Sequence, residues 1–304
     1  MSRFDVVGFG ALNLDKLFKV NKLAKAEGES YIKEYAETCG GSAANTVVGL
    51  SRLGRKVGYI GKVGCDREGD VLIRGFCNEG VNTDGVIRAE QGESGSVFGF
   101  VDRKGARALY INSGVNDTIT LDDVNARYAA QAQFLHLTSF VGDESFQTQK
   151  KLLDAIPDST KVSFDPGALY ARRDPTALDP IIRKTYVLMP NAIELTLLTG
   201  EIAYSKGAEA MIGKGVKVIA VKLGSKGCYV TDGNERHLID PLKVKVVDTT
   251  GAGDAFCAGF LYGLVKDKSL LECGKLGNFV ASRCVMKMGA RTGLPVAEDL
   301  ELLG

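Results

Sequence analysis

The stretch that decides the fold is "VDTTGAGDAF", residues 247–256. The run "LKVKVV" over 242–247 alternates as a strand does, and "AGDAFCAGFLYGLV" from residue 252 predicts a helix rich in small residues. We therefore expect "DTTGAG" to form a strand-to-helix turn whose glycines let the backbone bend sharply and approach a ligand closely. The backbone N–H groups that begin such a helix favour a bound anion.

Asp254 lies in the first turn of this helix, where a carboxylate would repel a bound phosphate. Its presence is explained if Asp254 takes a proton from a hydroxyl that attacks the phosphate. Anion-binding N–H groups and a carboxylate base are the parts that phosphoryl transfer to an alcohol needs. The alternative is that Asp254 only caps the helix or complements its dipole. The stretch is not a Walker loop, because no Gly-Lys-Ser/Thr follows, and it lacks the third glycine of a dinucleotide fingerprint.

The composition is that of a globular protein, with 304 residues, 45% hydrophobic and 25% charged. A formal net charge of +1 does not favour a nucleic-acid or membrane partner. Seven cysteines without a CxxC pair indicate reduced core thiols. The N-terminus lacks a basic-then-apolar leader and no apolar run is long enough to span a bilayer, so we expect a cytoplasmic protein.

The chain reads as one α/β domain, residues 1–304. A buried strand is predicted at 4–10. Two strand pairs that are more polar than this strand are predicted around 16–37 and 95–111. Strands and helices then alternate, which predicts a parallel sheet with right-handed crossovers. The predicted helices of this part are 144–155, 175–183, 191–213, 252–265 and 269–288.

Five segments resemble the PfkB, or ribokinase-like, family of carbohydrate and nucleoside kinases. "DTTGAGDAF" is similar to its C-terminal signature and "CGGSAANTVVGLSRLG" (39–54) to its N-terminal signature. Three shorter matches follow the family's order across most of the chain: "GALNLD" (10–15), "NAIE" (191–194) and "VKLGSKG" (221–227). The resemblance implies a three-layer sandwich with a central, mostly parallel sheet. It also implies a small β-sheet lid, formed by the 16–37 and 95–111 strands, over the sugar site.

The resemblance implies that Asp254 is the catalytic base. It also implies an anion hole for the γ-phosphoryl group, formed by the backbone of Gly251, Ala252 and Gly253. The implied acceptor-binding residues are Asp15, Gly41 and Asn45. A carboxylate and an amide suit this role, because they fix alcohol groups by hydrogen bonds.

The cofactors that the resemblance implies are ATP and Mg²⁺. Asn191 and Glu194 match residues on the magnesium and phosphate side, with Glu194 acting through water, since Mg²⁺ keeps several waters. Asn191 also suits a helix N-cap, which is compatible with either role. The implied nucleotide contacts are Lys222, Gly224, Gly227 and Asn278, although Asn278 also fits an ordinary place in a helix interior.

A monovalent-cation site is implied near Asp248 and Thr250, where some family members bind K⁺ through backbone oxygens. The segment around Gly289 belongs to the same site. Gly293 stands where such members often have serine, which counts against a K⁺ requirement.

The function that follows is ATP-dependent phosphorylation of a sugar hydroxyl, of the ribokinase or fructokinase kind. A neutral sugar is favoured, because a phosphorylated sugar needs several Arg or Lys in its pocket, whereas the 39–54 segment offers mainly Ser42 and Asn45 between small residues. A nucleoside kinase is the alternative, with lid aromatics stacking on a base: Tyr31, Tyr35, Phe98 and Phe100. A non-catalytic sugar-binding regulator and a dehydrogenase are weaker alternatives. The exposed edges of the lid strands suggest a homodimer.

Overall fold

A nine-stranded sheet forms the centre of the protein in the computed structural model, which describes residues 2–303. The strands of the described chain are, in order, β1 Phe4–Phe9, β2 Asn13–Val20, β3 Ile32–Gly40, β4 Val57–Gly64, β5 Asn82–Ala89, β6 Gly95–Val101, β7 Arg107–Asn112, β8 Ala132–Thr138, β9 Lys161–Asp165, β10 Thr185–Leu188, β11 Val218–Lys222, β12 Cys228–Thr231 and β13 Arg236–Ile239. The large sheet has the order β13-β12-β11-β10-β9-β8-β1-β4-β5. All pairs from β11 to β5 are parallel, and β12 and β13 are added antiparallel at one edge.

Helices cover both faces of this sheet. They are α1 Ser42–Arg52, α2 Arg67–Asn78, α3 Ala126–Ala129, α4 Asp143–Ala155, α5 Gly167–Ala171, α6 Pro175–Lys184, α7 Ala192–Thr199, α8 Tyr204–Gly213, α9 Ala252–Val265 and α10 Leu270–Cys284. One core packs α1, α9 and α10 against the sheet and includes Val47, Phe260 and Val280. The other includes Phe146 and Leu195 on the opposite face. The strands are apolar on both sides because both faces are covered. The predicted three-layer α/β fold is therefore confirmed.

A separate four-stranded sheet has the order β3-β2-β6-β7. Its strands fall in the two polar regions around 16–37 and 95–111. The central pair, β2 and β6, is parallel, and the outer pairs are antiparallel. The edges of this small sheet are β3 and β7, both largely exposed.

Three boundaries differ from the sequence-based expectations. The predicted helix 191–213 is two helices, α7 and α8, because Gly200 adopts a left-handed conformation (φ 76°) that ends the first. The last long helix ends at Cys284 rather than at 288. The alternating run 242–247 is not a strand. It has no strand partner, and its end is instead tied to the end of α10, where the N–H of Val247 donates to the carbonyl of Val285 at 2.8 Å.

Among residues 2–303, no helix is both long and apolar enough to cross a membrane.

Candidate active site

Two adjoining cavities lie beside the start of α9. One is polar, about 310 Å³, and is lined mainly by Ser42, Thr138, Ser139, Asp165, Asn191, Glu194, Lys222 and Asp254. The other is mostly apolar, about 490 Å³, and is lined among others by Gly227, Leu242, Val244, Val246, Ala252, Phe256, Asn278 and Val285. Three residues line both: Lys222, Gly224 and Gly253. The residues predicted for catalysis and for nucleotide binding therefore meet at one place, at the carboxyl ends of the parallel strands β9 and β11, where α/β sheets bind ligands.

The turn before α9 gives Asp254 its position. Gly251 is the N-cap of α9 and has a left-handed backbone (φ 76°). A Cβ at this residue would lie 2.5 Å from the Cβ of Ala290, so both the conformation and the close packing require glycine. The short turn places Gly253 where the cavities join and directs Asp254 into the polar one.

The carboxylate of Asp254 accepts a hydrogen bond from Nδ2 of Asn45 at 2.8 Å. Burial raises the pKa of Asp254 to about 7, and the nearby carboxylate of Asp165 acts in the same direction. The hydrogen bond from Asn45 and the positive charges of Lys222 and Arg291 oppose this rise. A carboxyl group with a pKa near neutrality can accept a proton and later release it, which suits a general base.

Asn45 connects Asp254 to a residue that the sequence reading did not single out. Its Oδ1 accepts a hydrogen bond from Nε of Arg291 at 2.8 Å, so both ends of the Asn45 amide are engaged inside the protein. The role predicted for Asn45, binding acceptor hydroxyls, stays a prediction. No local sequence pattern indicates that Arg291 contacts the site. It lies in the segment "GARTG" (289–293), 246 residues from Asn45.

Gly41 precedes Ser42, which lines the polar cavity, and Asp15 on β2 lies against Gly40. Gly41 is the N-cap of α1 (φ 108°), and a Cβ there would collide with the carbonyl oxygen of Ala11. The Asp15 carboxylate lies against Gly40, so closely that a Cβ at Gly40 would overlap it. Burial raises the pKa of Asp15 to about 6, against the opposing charge of Arg291. The described lining of the polar cavity includes neither Asp15 nor Gly41, and their acceptor-binding role stays a prediction.

Most of the lid aromatics face away from Asp15. Phe18 stacks on Tyr35 and Phe100, with ring centroids 4.9 and 5.1 Å apart. Asp15 and Phe18 are three residues apart on β2, and successive side chains of a strand point to opposite faces. The residues paired with Phe18 are Tyr35 and Phe100, and Phe98 lies on their face beside Lys16. These three predicted stacking residues are therefore on the face opposite to Asp15.

Lys222 and Asp165 form a buried ion pair, with Nζ of the lysine 2.6 Å from Oδ2 of the aspartate. Burial alone would lower the pKa of Lys222, but the negative charges around it, first that of Asp165, hold it above its ordinary value. Lys222 therefore stays charged close to Gly253, where a Cβ would lie 3.4 Å from its Nζ. The sequence reading did not single out Asp165, although a carboxylate at the end of a predicted buried strand is a recognisable signal.

Asn191 and Glu194 form a capping box at the start of α7. Oδ1 of Asn191 accepts the N–H of Glu194 at 2.9 Å, and Oε2 of Glu194 accepts the N–H of Asn191 at 2.8 Å. Both residues also line the polar cavity, so capping does not remove them from the site. Burial and the charge of Asp165 raise the pKa of Glu194. Within residues 2–303, no three His, Cys, Asp or Glu side chains are grouped as a metal site.

Asn278 lines the apolar cavity from α10. Its Nδ2 donates to the carbonyls of Ile239 and Asp240, both at 3.1 Å. The residue therefore fixes the chain after β13, at the wall of the cavity. Gly224 and Gly227 lie on the same side of the site. Their nucleotide-binding roles stay predictions.

Asp248 and Thr250 form a turn that precedes α9 in the chain. Oδ1 of Asp248 accepts from the N–H and hydroxyl of Thr250 at 3.0 and 2.8 Å, and its Oδ2 accepts the N–H of Gly289 at 2.8 Å. Burial alone would raise the pKa of Asp248, but these bonds outweigh burial and lower it. The thiol of Cys284 lies 3.6 Å from the carbonyl oxygen of Thr250. This turn joins the predicted cation residues to the segment that carries Arg291.

Comparisons with known proteins show which family this chain belongs to. A family model described as pfkB family carbohydrate kinase matches residues 3–297. The chain is 49% identical over 255 residues to an uncharacterized sugar kinase of Archaeoglobus fulgidus, a match that covers 83% of this chain and 100% of the relative. It is 31% identical to an ATP-dependent ribose-1-phosphate kinase of Halopiger xanaduensis, over 96% of this chain and 95% of the relative. The crystal structure of ribokinase from Thermotoga maritima superposes with a TM-score of 0.89 at 28% identity and covers 98% of both chains. This chain therefore belongs to the pfkB family of carbohydrate kinases and is a phosphotransferase of the sugar-kinase class.

Proposed function

We propose that this enzyme transfers the γ-phosphoryl group of ATP, bound with Mg²⁺, to a hydroxyl of a neutral sugar. The observation that carries the proposal is the meeting of the polar and apolar cavities at Gly253, next to Asp254. The apolar cavity suits a nucleobase, and the polar cavity suits a hydroxylated acceptor. Kinases of this family use ATP with a divalent metal in general. In this proposal the donor occupies the apolar cavity and the acceptor the polar one, on either side of the first turn of α9.

Asp254 is the general base in this proposal. Its carboxylate takes the proton of the attacking hydroxyl, and a pKa of about 7 lets it do so at neutral pH. The backbone N–H groups of Gly251, Ala252 and Gly253, at the positive end of the α9 dipole, stabilise negative charge on the transferring group. Lys222 adds a positive charge beside Gly253 that Asp165 holds in place.

The residues present fit the implied cofactors. The apolar cavity has the size and lining for an adenine ring, and Asn278 forms part of its wall. Lys222 and Gly224 line both cavities, Gly227 lines the apolar one, and all three are proposed to contact the nucleotide. Glu194 and Asn191 offer oxygen ligands to Mg²⁺ or to its waters. When bound, Mg²⁺ supplies charge neutralisation on the phosphates.

A neutral acceptor is favoured over a phosphorylated one. Among the described residues that line the polar cavity, Lys222 alone is basic, and its charge is already compensated by Asp165. The other cation near the proposed acceptor ligand Asp15 is Arg291, whose Nε is engaged by Asn45. A nucleoside acceptor is disfavoured, because the lid aromatics around Phe18 lie on the face opposite to Asp15. The acceptor hydroxyls are proposed to bind the Asp15 carboxylate and the backbone at Gly41.

The test is ADP release from MgATP with a panel of acceptors. The panel contains ribose, fructose, glucose, other ketoses, 2-keto-3-deoxygluconate, common nucleosides and, because of the Halopiger relative, ribose 1-phosphate. Turnover with a neutral sugar that disappears in Asp254→Asn supports the proposal. Turnover only with ribose 1-phosphate or with nucleosides would contradict the acceptor class. Sugar binding without turnover would favour the non-catalytic regulator.

Three further parts belong to this proposal. The small sheet formed by β2, β3, β6 and β7 closes over the acceptor and excludes water, which otherwise competes for the phosphoryl group. A monovalent cation that activates the enzyme would bind the backbone near Asp248 and Thr250, and replacement of K⁺ by Na⁺ in the assay tests whether K⁺ is needed despite Gly293. The enzyme is cytoplasmic, as its free cysteines suggest.

A homodimer is the fourth part. The edges of the small sheet carry large exposed apolar side chains: Ile32, Tyr35, Leu109, Tyr110 and Ile111. Exposed strand edges with apolar side chains favour pairing with a second copy.

A further inference from the structure

We propose that Arg291 is a positioning residue for the catalytic base, which it controls by fixing the orientation of the Asn45 amide. This inference rests on the function proposed above. Nε of Arg291 donates to Oδ1 of Asn45 at 2.8 Å, and Nδ2 of Asn45 donates to Oδ2 of Asp254 at 2.8 Å. The three side chains form a relay that joins the loop after α10, the start of α1 and the start of α9.

The chemistry of the relay allows one orientation of the amide. A guanidinium group only donates hydrogen bonds, so the carbonyl oxygen of Asn45 has to face Arg291. The NH₂ group of Asn45 then has to face Asp254, where it donates to the carboxylate. If the amide rotated by 180°, its oxygen would face a carboxylate and its NH₂ group a cation, which is repulsive at both ends. Arg291 thus determines that Asp254 receives a donor.

Arg291 is held in place from several sides. Its carbonyl oxygen accepts from Nη1 of Arg52 at 2.7 Å, and Arg52 is paired with Glu79 at 2.6 Å. Its neighbour Ala290 packs on Gly251, and the N–H of Gly289 binds Asp248 at 2.8 Å. The loop that carries Arg291 is therefore attached to α1 and to the turn that begins α9.

The burial of this guanidinium is costly for folding. Its Nη2 is buried and has no hydrogen-bond partner among the described residues. An unpaired buried donor lowers stability, and an apolar side chain would fill such a position at lower cost. The guanidinium also lies over the Phe76 ring, 5.9 Å from its centroid. Among the described residues, the hydrogen bond from Nε to Asn45 is the one that the Arg291 side chain donates, which ties its position to the Asn45 amide.

The charges around Asp254 support the same role. Three charged groups shift the pKa of Asp254: Asp165 on β9, Lys222 on β11 and Arg291. The charge of Asp254 in turn raises the pKa of three neighbouring groups: Tyr59 on β4, Cys257 on α9 and Cys284 on α10. Lys222 is committed to Asp165. The guanidinium of Arg291 opposes the burial-driven rise in the pKa of both Asp254 and Asp15. One buried cation thus acts on the proposed base and on the proposed acceptor ligand.

The test compares Arg291→Lys, Arg291→Met and Asn45→Leu, with Arg74→Gln, an exposed arginine on α2, as the matched control. Arg291→Met and Asn45→Leu are each expected to lower kcat about 10–100-fold. The acidic limb of the pH–kcat profile should move to higher pH in both variants. Because the residues act in series, the double variant should lose little more than either single one. Arg291→Lys, which keeps a donor-only cation, should recover part of the loss, and Arg74→Gln should match the unsubstituted enzyme.

A second readout does not depend on activity. The carboxyl ¹³C resonance of Asp254, assigned with Asp254→Asn in protein labelled at aspartate, should titrate at higher pH in Arg291→Met than in the unsubstituted enzyme. An unchanged titration, or equal losses of kcat at every pH with fully additive effects in the double variant, would overturn the relay. If Arg291→Met does not fold, the same comparison is made with Asn45→Leu and Arg291→Lys. If Arg291→Met shifts the Asp254 titration to higher pH but the unsubstituted protein turns over no acceptor, the relay stands and the proposed function is refuted.

Discussion

Nζ of Lys222 lies 2.6 Å from Oδ2 of Asp165, although the two residues are 57 positions apart in sequence. The exposed fractions of the two side chains are only 13% and 8%, so neither charge is well solvated. Because β9 and β11 flank β10 in the sheet, their carboxyl ends bring the two residues together. Lys222 lines both cavities, and Asp165 lines the polar one.

Lys222→Met should therefore destabilise the protein. The substitution leaves Asp165 buried without its counter-ion, and loss of one partner of such a pair costs about 3–5 kcal/mol. Urea unfolding monitored by circular dichroism measures this change. The matched control is Lys214→Met, which removes the more exposed Lys214–Asp179 pair and should cost less than about 1 kcal/mol. Equal losses of unfolding free energy in the two variants would show that the buried pair stabilises the protein no more than the exposed pair does.

Asp254→Asn should lower kcat about 10²–10⁴-fold, because the amide cannot accept the proton of the attacking hydroxyl. ATP affinity should survive, since the apolar cavity is not altered. ADP release measures kcat, and calorimetric titration measures ATP binding. Asp267→Asn, an exposed aspartate just after the end of α9, serves as the control and should behave as the unsubstituted enzyme. A near-normal kcat in Asp254→Asn would rule out this base.

The activity should depend on pH through Asp254. The proposed base can accept a proton only when it is ionised, and burial raises the pKa of Asp254 to about 7, above the ordinary range of a carboxyl group. kcat should therefore level off above this pH and fall by about tenfold per pH unit well below it. Assays from pH 5.5 to 9 with a coupling system in excess give the profile. An acidic limb near pH 4, typical of an exposed carboxylate, would contradict the raised pKa.

Asp15→Asn should weaken sugar binding more than catalysis. The carboxylate is proposed to accept hydrogen bonds from acceptor hydroxyls, and loss of such charged acceptors costs about 1.5–3 kcal/mol. The KM for the sugar should rise by at least about tenfold, whereas the KM for ATP should change little. Steady-state kinetics with each substrate varied in turn separate the two constants. A rise confined to the KM for ATP would show that Asp15 contributes to the nucleotide subsite and not to the acceptor subsite.

The lid edge should carry a dimer contact. Ile111→Asp introduces a charge on the exposed edge strand β7 and should convert a dimer into a monomer, because a buried unpaired charge is unfavourable. Sedimentation equilibrium of both proteins reports their mass. Leu238→Asp, on the exposed edge strand β13 of the large sheet, is the control. An unsubstituted protein that is monomeric at micromolar concentration would contradict the dimer.

The sequence by itself determined the family and the three-layer fold, and it predicted the chemistry at the start of α9. Those conclusions depend on local patterns: a glycine-rich turn, strand–helix alternation, and motifs whose members lie within a few residues of one another. Asn191 and Glu194, three residues apart, form the expected capping box for the same reason.

Only the tertiary structure decided which distant side chains act together. The links of Asn45 to Asp254 and to Arg291 span 209 and 246 residues, and no local pattern records them. The alternating run 242–247 is not a strand, because strand formation requires a partner strand that the fold does not provide. The register of β2 against β3 and β6 likewise determines which face of the small sheet carries the lid aromatics. Periodicity reports which residues share a face, but the packing of separate elements determines what that face contacts.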